Sequence, residues 1–329
     1  MRFSIIVPVF MQEAYIASCV DSLLAQGIDD MEVLLIDDGS TDSTPRICDE
    51  LAAGDSRMRV IHKQNEGPSA TRNLGVSYAS GDYIVFVDGD DMLAQGALLH
   101  ADAAARQHNE PDLVVCCIDK FTNDTADLTV FDGVDALPDS GTGDELAAYV
   151  KERHNKYSIS PCRYAIKRSF YLKNKLSFMP GLKQEDELFS PLLICASESF
   201  AVCRGRFYLY RMHRISRNST LSIKNKIDFL KISYSLLESV DNATTEQKKS
   251  FLLKRGKYLF RRGLMEHNEN IKKDRALLVN TAVEVYRAFP AAAEDTQSLV
   301  KLIKLFGCER GISCFIRLLG LINRNKIQA

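Results

Sequence analysis

The sequence Tyr83-Ile84-Val85-Phe86-Val87-Asp88-Gly89-Asp90-Asp91 joins five consecutive hydrophobic residues to three carboxylates within nine positions. A short, continuous hydrophobic run of this kind is typical of a strand that is buried on both faces of a parallel sheet. The carboxylates that follow would lie where that strand ends. We therefore interpret this stretch as a buried strand that leads into an acidic loop.

Three similar units precede this strand. Apolar runs at 4–10, 32–36 and 58–62 are each followed by a turn and then by a helical pattern, at 15–26, 44–53 and 69–79. Because parallel strands need crossover connections, this alternation predicts a mostly parallel sheet with helices on both faces. Ligands bind such sheets at the carboxyl ends of the strands. The sequence thus predicts one cleft, formed by the loops after Phe10, Ile36, His62 and Val87.

The rest of the chain divides into a mixed part and a helical part. We expect strands at 112–118 and 200–212, and helices at about 95–108, 164–174 and 186–196. From Leu221 onward the apolar spacing is helical. Single cores stop growing near about 250 to 300 residues, so the 329 residues predict a sheet-based domain at 1–218 and a mainly helical region at 219–329.

The charged residues are distributed unevenly along the chain. Residues 1–100 carry 6 Lys+Arg against 16 Asp+Glu, whereas residues 201–329 carry 25 against 11. The acidic part is suited to hold a cation. The basic part is suited to an anionic partner, although a solvated helical surface would have the same composition.

The cysteines and the apolar runs indicate the cellular compartment. The nine cysteines include no Cys-x-x-Cys pair, so neither a zinc ribbon nor a disulfide framework is indicated. The amino terminus lacks the features of a signal peptide, and no run of 18 apolar residues occurs. We therefore expect a cytoplasmic protein with no membrane-spanning segment.

The acidic loop at 88–91 has the oxygen ligands that a hard divalent ion prefers. Mg2+ or Mn2+ would retain waters there and take further ligands from a diphosphate, whose charge it would neutralise. A simpler interpretation is an exposed turn in which Asp91 caps the next helix. Both interpretations remain open from the residues alone.

Two other loops at the same edge also allow two interpretations. In Asp37-Asp38-Gly39-Ser40-Thr41-Asp42, Gly39 supplies a positive φ for a tight turn, and a spare carboxylate could accept a hydrogen bond from a base N–H. In Asn65–Asn73 a turn precedes a capped helix, and Arg72 lies within one turn of its start, where phosphate oxygens could bind.

The order of four motifs resembles that of family 2 glycosyltransferases of the GT-A fold. The motifs are Ile6–Phe10, Asp37–Asp42, Asn65–Asn73 and Gly81–Asp91. The resemblance covers residues 1 to about 100 closely and 155–215 more loosely. It implies an α/β fold of the GT-A type, Rossmann-like, with a mainly helical C-terminal region. It also implies that 1–100 bind a nucleotide sugar and that 101–218 contribute the acceptor side and the catalytic base.

At matching positions the resemblance implies roles in binding the nucleotide. Pro8 and Phe10 would flank the base, Asp38 would accept a hydrogen bond from its ring N–H, and Arg72 would lie near the diphosphate. The family usually has Tyr-Asn after the first strand, whereas this chain has Phe10-Met11. The contact of a tyrosine hydroxyl is therefore absent.

The resemblance implies a metal site and a catalytic base as well. Asp90 would bind the divalent ion, and Asp88 would share that site and lie closer to the ribose or sugar. The Gln184-Glu185-Asp186 segment resembles the Glu-Asp pair of the family, in which the aspartate is the base. A charged first turn of a helix is the alternative for Asp186. Arg211 and His213 are expected near the pyrophosphate, with surface roles as the alternative.

The resemblance also implies an activity and its partners. We expect an inverting, metal-dependent enzyme that moves a sugar from a UDP-sugar to a hydroxyl of a saccharide or a lipid-linked saccharide, in the assembly of bacterial surface polysaccharides. No nucleic-acid partner is expected. Arg310, Arg317 and Arg324 recur every seven residues on one helical face. That helix either lies on an anionic membrane at the inner face of the cytoplasmic membrane or packs on its own domain.

Three other functions are weighed against this one. A haloacid dehalogenase-type phosphatase also has Asp-x-Asp after an apolar strand, but on its first strand. A protein that binds sugar nucleotides or polysaccharides without turnover is the second, and Asp186 distinguishes it. A Rossmann dehydrogenase is disfavoured because no Gly-x-Gly-x-x-Gly follows the first strand.

Overall fold

The first ninety residues form alternating strands and helices. The computed structural model describes residues 2–122, 129–132, 134–153, 157–212, 223–265 and 275–293, together with Arg310 and Ile312. The elements up to the acidic loop are β1 (Phe3–Val9), α1 (Ile16–Leu24), β2 (Met31–Asp37), α2 (Thr44–Gly54), β3 (Met58–His62), α3 (Pro68–Tyr78) and β4 (Tyr83–Phe86). The four strands predicted in this region are confirmed.

The middle of the chain adds short strands and four helices among the described residues. They are β5 (Met92–Leu93), α4 (Ala97–Gln107), β6 (Leu113–Val115), β7 (Ile118–Phe121), β8 (Thr129–Asp132), β9 (Ser140–Thr142), α5 (Gly143–Glu152), β10 (Tyr164–Lys167), α6 (Arg168–Lys173), α7 (Asp186–Ala196), β11 (Ser199–Val202) and β12 (Tyr208–Arg211). The last long helices described are α8 (Ile223–Glu238), α9 (Glu246–Met265) and α10 (Arg275–Ala288).

The main sheet has the strand order β3-β2-β1-β4-β10-β6-β11-β9. Strands β1 to β4 pair in parallel, and β10 runs antiparallel between β4 and β6. A smaller sheet has the order β5-β12-β7-β8. The predicted fold class, a mostly parallel α/β sheet followed by a helical region, is confirmed.

Three predicted elements differ from the structure. The predicted helix at 164–174 begins as strand β10, because Tyr164, Ala165 and Ile166 are buried in the middle of the sheet. The predicted strand at 112–118 is divided between β6 and β7, which belong to different sheets. The predicted strand at 200–212 is likewise divided between β11 and β12. In each case the predicted element continues across the point at which one element of the structure ends and the next begins.

The helices after residue 222 share a hydrophobic core with the sheet-based domain. Leu182 and Leu188, on either side of the start of α7, pack with five residues of α8 and α9: Phe229, Ile232, Leu236, Leu252 and Leu259. The opposite faces of α8 and α9 pack with α10 in a separate cluster. The predicted boundary near residue 218 lies outside the described residues.

No helix in the described ranges combines the length and the apolar character that a membrane crossing requires. The predicted amphipathic helix at the carboxyl end, with Arg317 and Arg324, lies outside those ranges.

Candidate active site

The loops after β1, β2, β3 and β4 meet at one edge of the sheet, which we call the strand-end corner (residues 10–15, 38–43, 63–67 and 87–91). Asp38 N–H donates to the carbonyl of Val9 at 2.9 Å. A Cβ placed on Gly89 would lie 3.5 Å from the carbonyl oxygen of Pro8. The cleft predicted at the carboxyl ends of the strands therefore has its loops in contact.

Hydrogen bonds from strand β12 hold the acidic loop in place. The Tyr208 hydroxyl donates to Asp91 Oδ2 at 2.5 Å, and the Arg211 N–H donates to Asp91 Oδ1 at 2.7 Å. The Tyr208 oxygen also accepts the Asp88 N–H at 3.2 Å. Asp91 is buried, so it anchors the loop, while Asp88 and Asp90 remain partly exposed.

The charges of Asp88 and Asp90 raise the pKa of two buried groups, Cys19 and Asp91. Burial raises the pKa of Cys19, and the charges of Asp91, Asp90 and Asp88 raise it further. Burial likewise raises the pKa of Asp91 well above its usual range, and the charges of Asp88 and Asp90 add to the rise. The corner therefore has a negative potential that favours a cation.

The residues at this corner fit a divalent ion that takes few protein ligands. Within the described ranges, no three His, Cys, Asp or Glu side chains are clustered so as to hold a metal by themselves. Asp88 and Asp90 offer carboxylates at the tip of β4, where the potential favours a cation. Mg2+ usually binds proteins through one or two carboxylates and completes its shell with water and phosphate oxygens.

Arg211 lies beside the acidic loop, at the end of β12. Its Nε donates to the carbonyl of Asp90 at 2.7 Å, and its guanidinium lies over the rings of Tyr15 and Phe121 at 5.0 and 4.5 Å. These contacts place one of the predicted cations next to Asp90. The other, His213, lies outside the described residues.

Asp38 joins two loops of the corner. Its Oδ1 accepts the Lys63 Nζ at 2.7 Å and the Glu66 N–H at 2.9 Å, and its Oδ2 accepts the Gly67 N–H at 2.8 Å. Burial alone would raise the pKa of Asp38, but these bonds outweigh it and lower the pKa. A carboxylate has about four lone-pair sites, so three bonds leave capacity for one more donor.

The turn after β2 requires glycine, as predicted. Gly39 has a φ of +74°, and a Cβ there would lie 2.9 Å from the Asn65 nitrogen. The glycine thus allows the loop after β2 to touch the loop after β3.

A hydrophobic surface borders the corner on the side of β1. Phe10 is 41% exposed and Met11 is 39% exposed, although both follow a buried strand. Met11 N–H donates to the Ser40 hydroxyl at 3.0 Å, which ties this surface to the turn after β2. Pro8 is partly exposed beside them.

Arg72 is buried and bridges two carboxylates. It is 6% exposed; one terminal nitrogen donates to Asp88 Oδ1 at 2.7 Å and the other to Glu185 Oε1 at 2.5 Å. The sequence predicted a contact of Arg72 with the diphosphate, and that contact stays a prediction. In the structure Arg72 links the acidic loop to residues 178–189, which we call the acidic segment.

The neighbour of Arg72 holds the acidic segment as well. The Asn73 side chain donates to the carbonyl of Phe178 at 2.7 Å and accepts the Phe178 N–H at 2.8 Å. The Phe178 ring stacks on Phe189 at 3.8 Å between centroids. Two consecutive residues of α3 therefore fix the position of the acidic segment.

Asp186 differs from the glutamates on either side of it. Glu185 pairs with Arg72, and Glu187 pairs with Arg255. Among the described residues, no cation forms an ion pair with Asp186. Burial raises the pKa of Asp186 to about 7, with the charges of Glu187 and Glu185 adding to the rise and Arg72 opposing it. A carboxyl group with such a pKa can take up a proton near neutral pH.

Eight of the nine residues predicted for the site are among the described residues. Pro8, Phe10 and Asp38 lie at the ends of β1 and β2, and Asp88, Asp90 and Arg211 lie around the acidic loop. Arg72 connects that loop to the segment that carries Asp186. The sequence did not indicate the anchoring roles of Asp91, Tyr208, Lys63 and Glu185. Of these four, only Asp91 and Glu185 are adjacent in sequence to a predicted site residue, which could have drawn attention to them.

The chain is similar in sequence to known proteins. The model of the family described as glycosyl transferase family 2 matches residues 4–171, half of the chain. EpsJ, an uncharacterised glycosyltransferase of Bacillus subtilis (strain 168), is 32% identical over 212 residues, which are 63% of this chain and 60% of EpsJ. The match thus spans less than two thirds of that relative.

Two solved structures have a similar fold. The S. aureus protein TarS (residues 1–349), in complex with UDP-GlcNAc, matches with a TM-score of 0.74 and 20% identity, over 99% of this chain and 92% of that one. The mannosyltransferase PcManGT of Pyrobaculum calidifontis, in complex with GDP-Man and Mn2+, matches with a TM-score of 0.53 and 14% identity, over 97% and 87%. At these identities the likeness concerns the fold.

Proposed function

We propose, because the chain belongs to glycosyltransferase family 2, that this glycosyltransferase moves a sugar from a UDP-sugar to a hydroxyl acceptor with inversion at the anomeric carbon. The observation that carries the proposal is the state of Asp186. It is a carboxyl group with a pKa of about 7, connected through Glu185 and Arg72 to the acidic loop. A protein that only bound sugar nucleotides would have no need of such a group.

The strand-end corner would bind the nucleotide. Phe10 presents an exposed ring on which a base can stack, and Pro8 lies beside it. Asp38 would use its remaining lone pair to accept the ring N–H of uracil. The complexes of TarS with UDP and UDP-GlcNAc, in a similar fold, support uridine as the nucleoside.

The diphosphate would lie over the acidic loop. Asp90, with Asp88, would hold a divalent ion, Mn2+ or Mg2+. When bound, this ion would neutralise negative charge on the leaving diphosphate. Mn2+ in the PcManGT complex supports this choice of ion. Arg211, whose Nε donates to the Asp90 carbonyl, is proposed to bind a phosphate oxygen, and His213 is proposed for the same role.

The reaction would be a single displacement. The acceptor oxygen attacks the anomeric carbon from the face opposite the diphosphate, and its proton passes to the Asp186 carboxylate. As the new carbon–oxygen bond forms, the bond to the diphosphate breaks and its electron pair stays on the leaving oxygen. One displacement of this geometry inverts the anomeric configuration. Arg72, paired with Asp88 and Glu185, holds the two carboxylates in place relative to each other.

We propose a saccharide or lipid-linked saccharide of bacterial surface polysaccharide assembly as the acceptor. The corresponding location is the cytoplasm, with the basic C-terminal part at the inner face of the membrane as a further proposal. The charge of residues 201–329, 25 Lys+Arg against 11 Asp+Glu, supports an anionic partner of this kind.

The test is a donor screen with the purified chain. UDP-glucose, UDP-GlcNAc, UDP-galactose and GDP-mannose are offered with and without Mn2+, and thermal stabilisation and release of nucleoside diphosphate are measured. We expect a UDP-sugar to stabilise the protein only with Mn2+ and to be turned over. Asp90→Ala should lose that stabilisation, whereas Asp29→Ala, at the opposite edge of the sheet, should keep it. A wild-type chain that turns over none of these donors would contradict the proposal, even if it bound one of them.

A further inference from the structure

The C-terminal helices pack directly against the segment that carries Asp186. Leu182 and Leu188 flank this residue, and both are buried against side chains of α8 and α9. Side chains between residues 229 and 259 therefore supply the hydrophobic support of a segment 41 to 77 positions earlier in the chain. This packing brings polar groups of α8 and α9 close to Asp186.

One of these groups lies directly after Asp186. The side chain of Glu187 is only 7% exposed, and it pairs with Arg255 of α9, which is equally buried. Arg262, about two helical turns further along α9, lies 3.4 Å from the other oxygen of Glu187. Two arginines of one helix thus hold the carboxylate next to Asp186.

A second contact lies just before Asp186. The Lys183 N–H donates to Asp228 Oδ2 of α8 at 3.1 Å, and Asp228 is buried. Contacts from α8 and α9 therefore fix the backbone on both sides of Asp186, and Arg72 fixes the residue between them, Glu185.

We propose that Arg255, supported by Arg262, is a positioning residue for the transfer reaction: it holds Glu187 and thereby sets the place and charge environment of Asp186. The inference rests on the proposed function of Asp186 as the base. It gives Arg255 and Arg262 of α9 a role in the transfer reaction.

The charges around Asp186 support a role beyond packing. Glu185 and Glu187 face it from its own helix turn, Arg72 faces it from α3, and Arg255 and Arg262 balance Glu187 from α9. The negative charge of Glu187 raises the pKa of Asp186. Removal of the Glu187 charge should therefore lower the pKa of Asp186. Removal of Arg255 leaves the Glu187 charge uncompensated and should raise the pKa of Asp186.

The experiment compares Arg255→Gln, Arg255→Lys and Glu187→Gln in the full chain. Turnover is measured with the donor found in the screen, and binding of UDP with Mn2+ is measured by calorimetry. Misplacing a base by about 1 Å can cost on the order of 10²-fold, so we expect Arg255→Gln to lower kcat about 10- to 100-fold. UDP affinity should stay within about twofold, because the strand-end corner is untouched. Lysine keeps the charge and should restore part of kcat.

The acid limb of the pH profile separates positioning from loss of structure. The limb should move to lower pH in Glu187→Gln and to higher pH in Arg255→Gln, although both changes break the same ion pair. A matched control is Lys248→Met, also in α9. Lys248 donates to the Ser197 carbonyl at 2.9 Å at the far end of α7, so its loss should lower stability while kcat and the limb remain those of the wild type.

The outcomes discriminate between the two proposals. If the wild type turns over and Arg255→Gln keeps its kcat and its acid limb, the inference is wrong and the proposed function stands. The inference is also wrong if Lys248→Met reproduces the kinetic effects of Arg255→Gln, since α9 would then act only as packing. A wild type without turnover contradicts the function itself, and the inference with it.

Discussion

The strand-end corner and the acidic segment are built in different ways. The corner consists of four short loops, each directly after a strand, and contacts join loops that the sheet already brings together. Strand β12 of the smaller sheet adds contacts to the acidic loop. The acidic segment is held by residues from α3, α8 and α9, which are distant from it in sequence. The first site follows from the parallel sheet, whereas the second depends on long-range ion pairs.

This difference separates two parts of the proposed reaction. Binding of the nucleotide depends on the corner, and removal of the acceptor proton depends on the segment. Among the described residues, Arg72 pairs with both sides, and the next residue of α3, Asn73, holds the acidic segment. Substitutions on one side should therefore leave the other side's function measurable.

The largest effect is expected at Asp186. Because this residue lies in the acidic segment and not in the strand-end corner, we expect its substitution to abolish turnover without loss of UDP binding. Asp186→Asn should lower kcat by about 10²- to 10⁴-fold, because general-base help is worth that much. The affinity for UDP with Mn2+, measured by calorimetry, should be unchanged. In the wild type, kcat/KM should fall on the acid side with an apparent pKa of about 7, since the base acts only when it is deprotonated.

The matched control for that change is Glu198→Gln, an exposed carboxylate just beyond the other end of α7. It should keep both kcat and the acid limb. Equal turnover in Asp186→Asn and the wild type would remove Asp186 as the base. Loss of UDP binding in Asp186→Asn would show that the two sides are not separable.

The second effect concerns the link between the two sides. Arg72→Met leaves Asp88 and the buried Glu185 without their cation, and breaking a buried pair in this way costs about 3–5 kcal/mol of stability. Urea denaturation should show this decrease in the free energy of unfolding. Arg106→Met removes the exposed i,i+4 pair with Asp102 and should cost no more than about 1 kcal/mol. Equal costs for the two changes would contradict the bridging role of Arg72.

The same difference explains what could be predicted from the sequence. Asp38, Asp88 and Asp90 follow apolar strands directly, so the period of the strands and the parallel-sheet rule were enough to bring them together. The alternative in which Asp91 caps the next helix is wrong, because Asp91 anchors the loop to Tyr208 of a second sheet and that helix begins after Gly96. No spacing along the chain indicates that a tyrosine 117 positions away is its partner.

The acidic segment shows the limit more clearly. The sequence identified Asp186 by resemblance, but it gave no sign that Glu187 would be paired by α9. A glutamate in the first turn of a helix is favoured by the helix dipole whether or not it has a partner. Predicting long-range ion pairs of this kind requires knowledge of how the helices pack. The amphipathic pattern of α9 indicates which of its residues are buried, but not which residues they contact.

The third effect tests how closely α9 must approach α8 to hold the segment. A Cβ on Gly256, next to Arg255, would lie 2.7 Å from Cγ of the buried Leu237. Gly256→Ala should therefore cost about 1–3 kcal/mol of stability through overpacking, despite the gain in helix propensity. Gly54→Ala, at the end of α2, has no atom within 4 Å of the new Cβ and should be neutral or stabilising. Thermal denaturation of both variants decides, and a stabilised Gly256→Ala would contradict this packing.

The smallest effect is expected on the nucleotide side, at Phe10. Phe10→Ala removes an exposed ring and should weaken UDP binding by about fivefold, or about 1 kcal/mol, the lower end of the range for stacking of a base on an aromatic side chain. Phe10→Tyr keeps the ring and restores the hydroxyl that the family usually has, so affinity should stay equal or rise by about threefold, within 1 kcal/mol. In both variants the acid limb of kcat/KM should remain near pH 7, because Asp186 and its neighbours are unchanged. A shifted limb in either variant would mean that the strand-end corner and the acidic segment are coupled by more than Arg72 and Asn73.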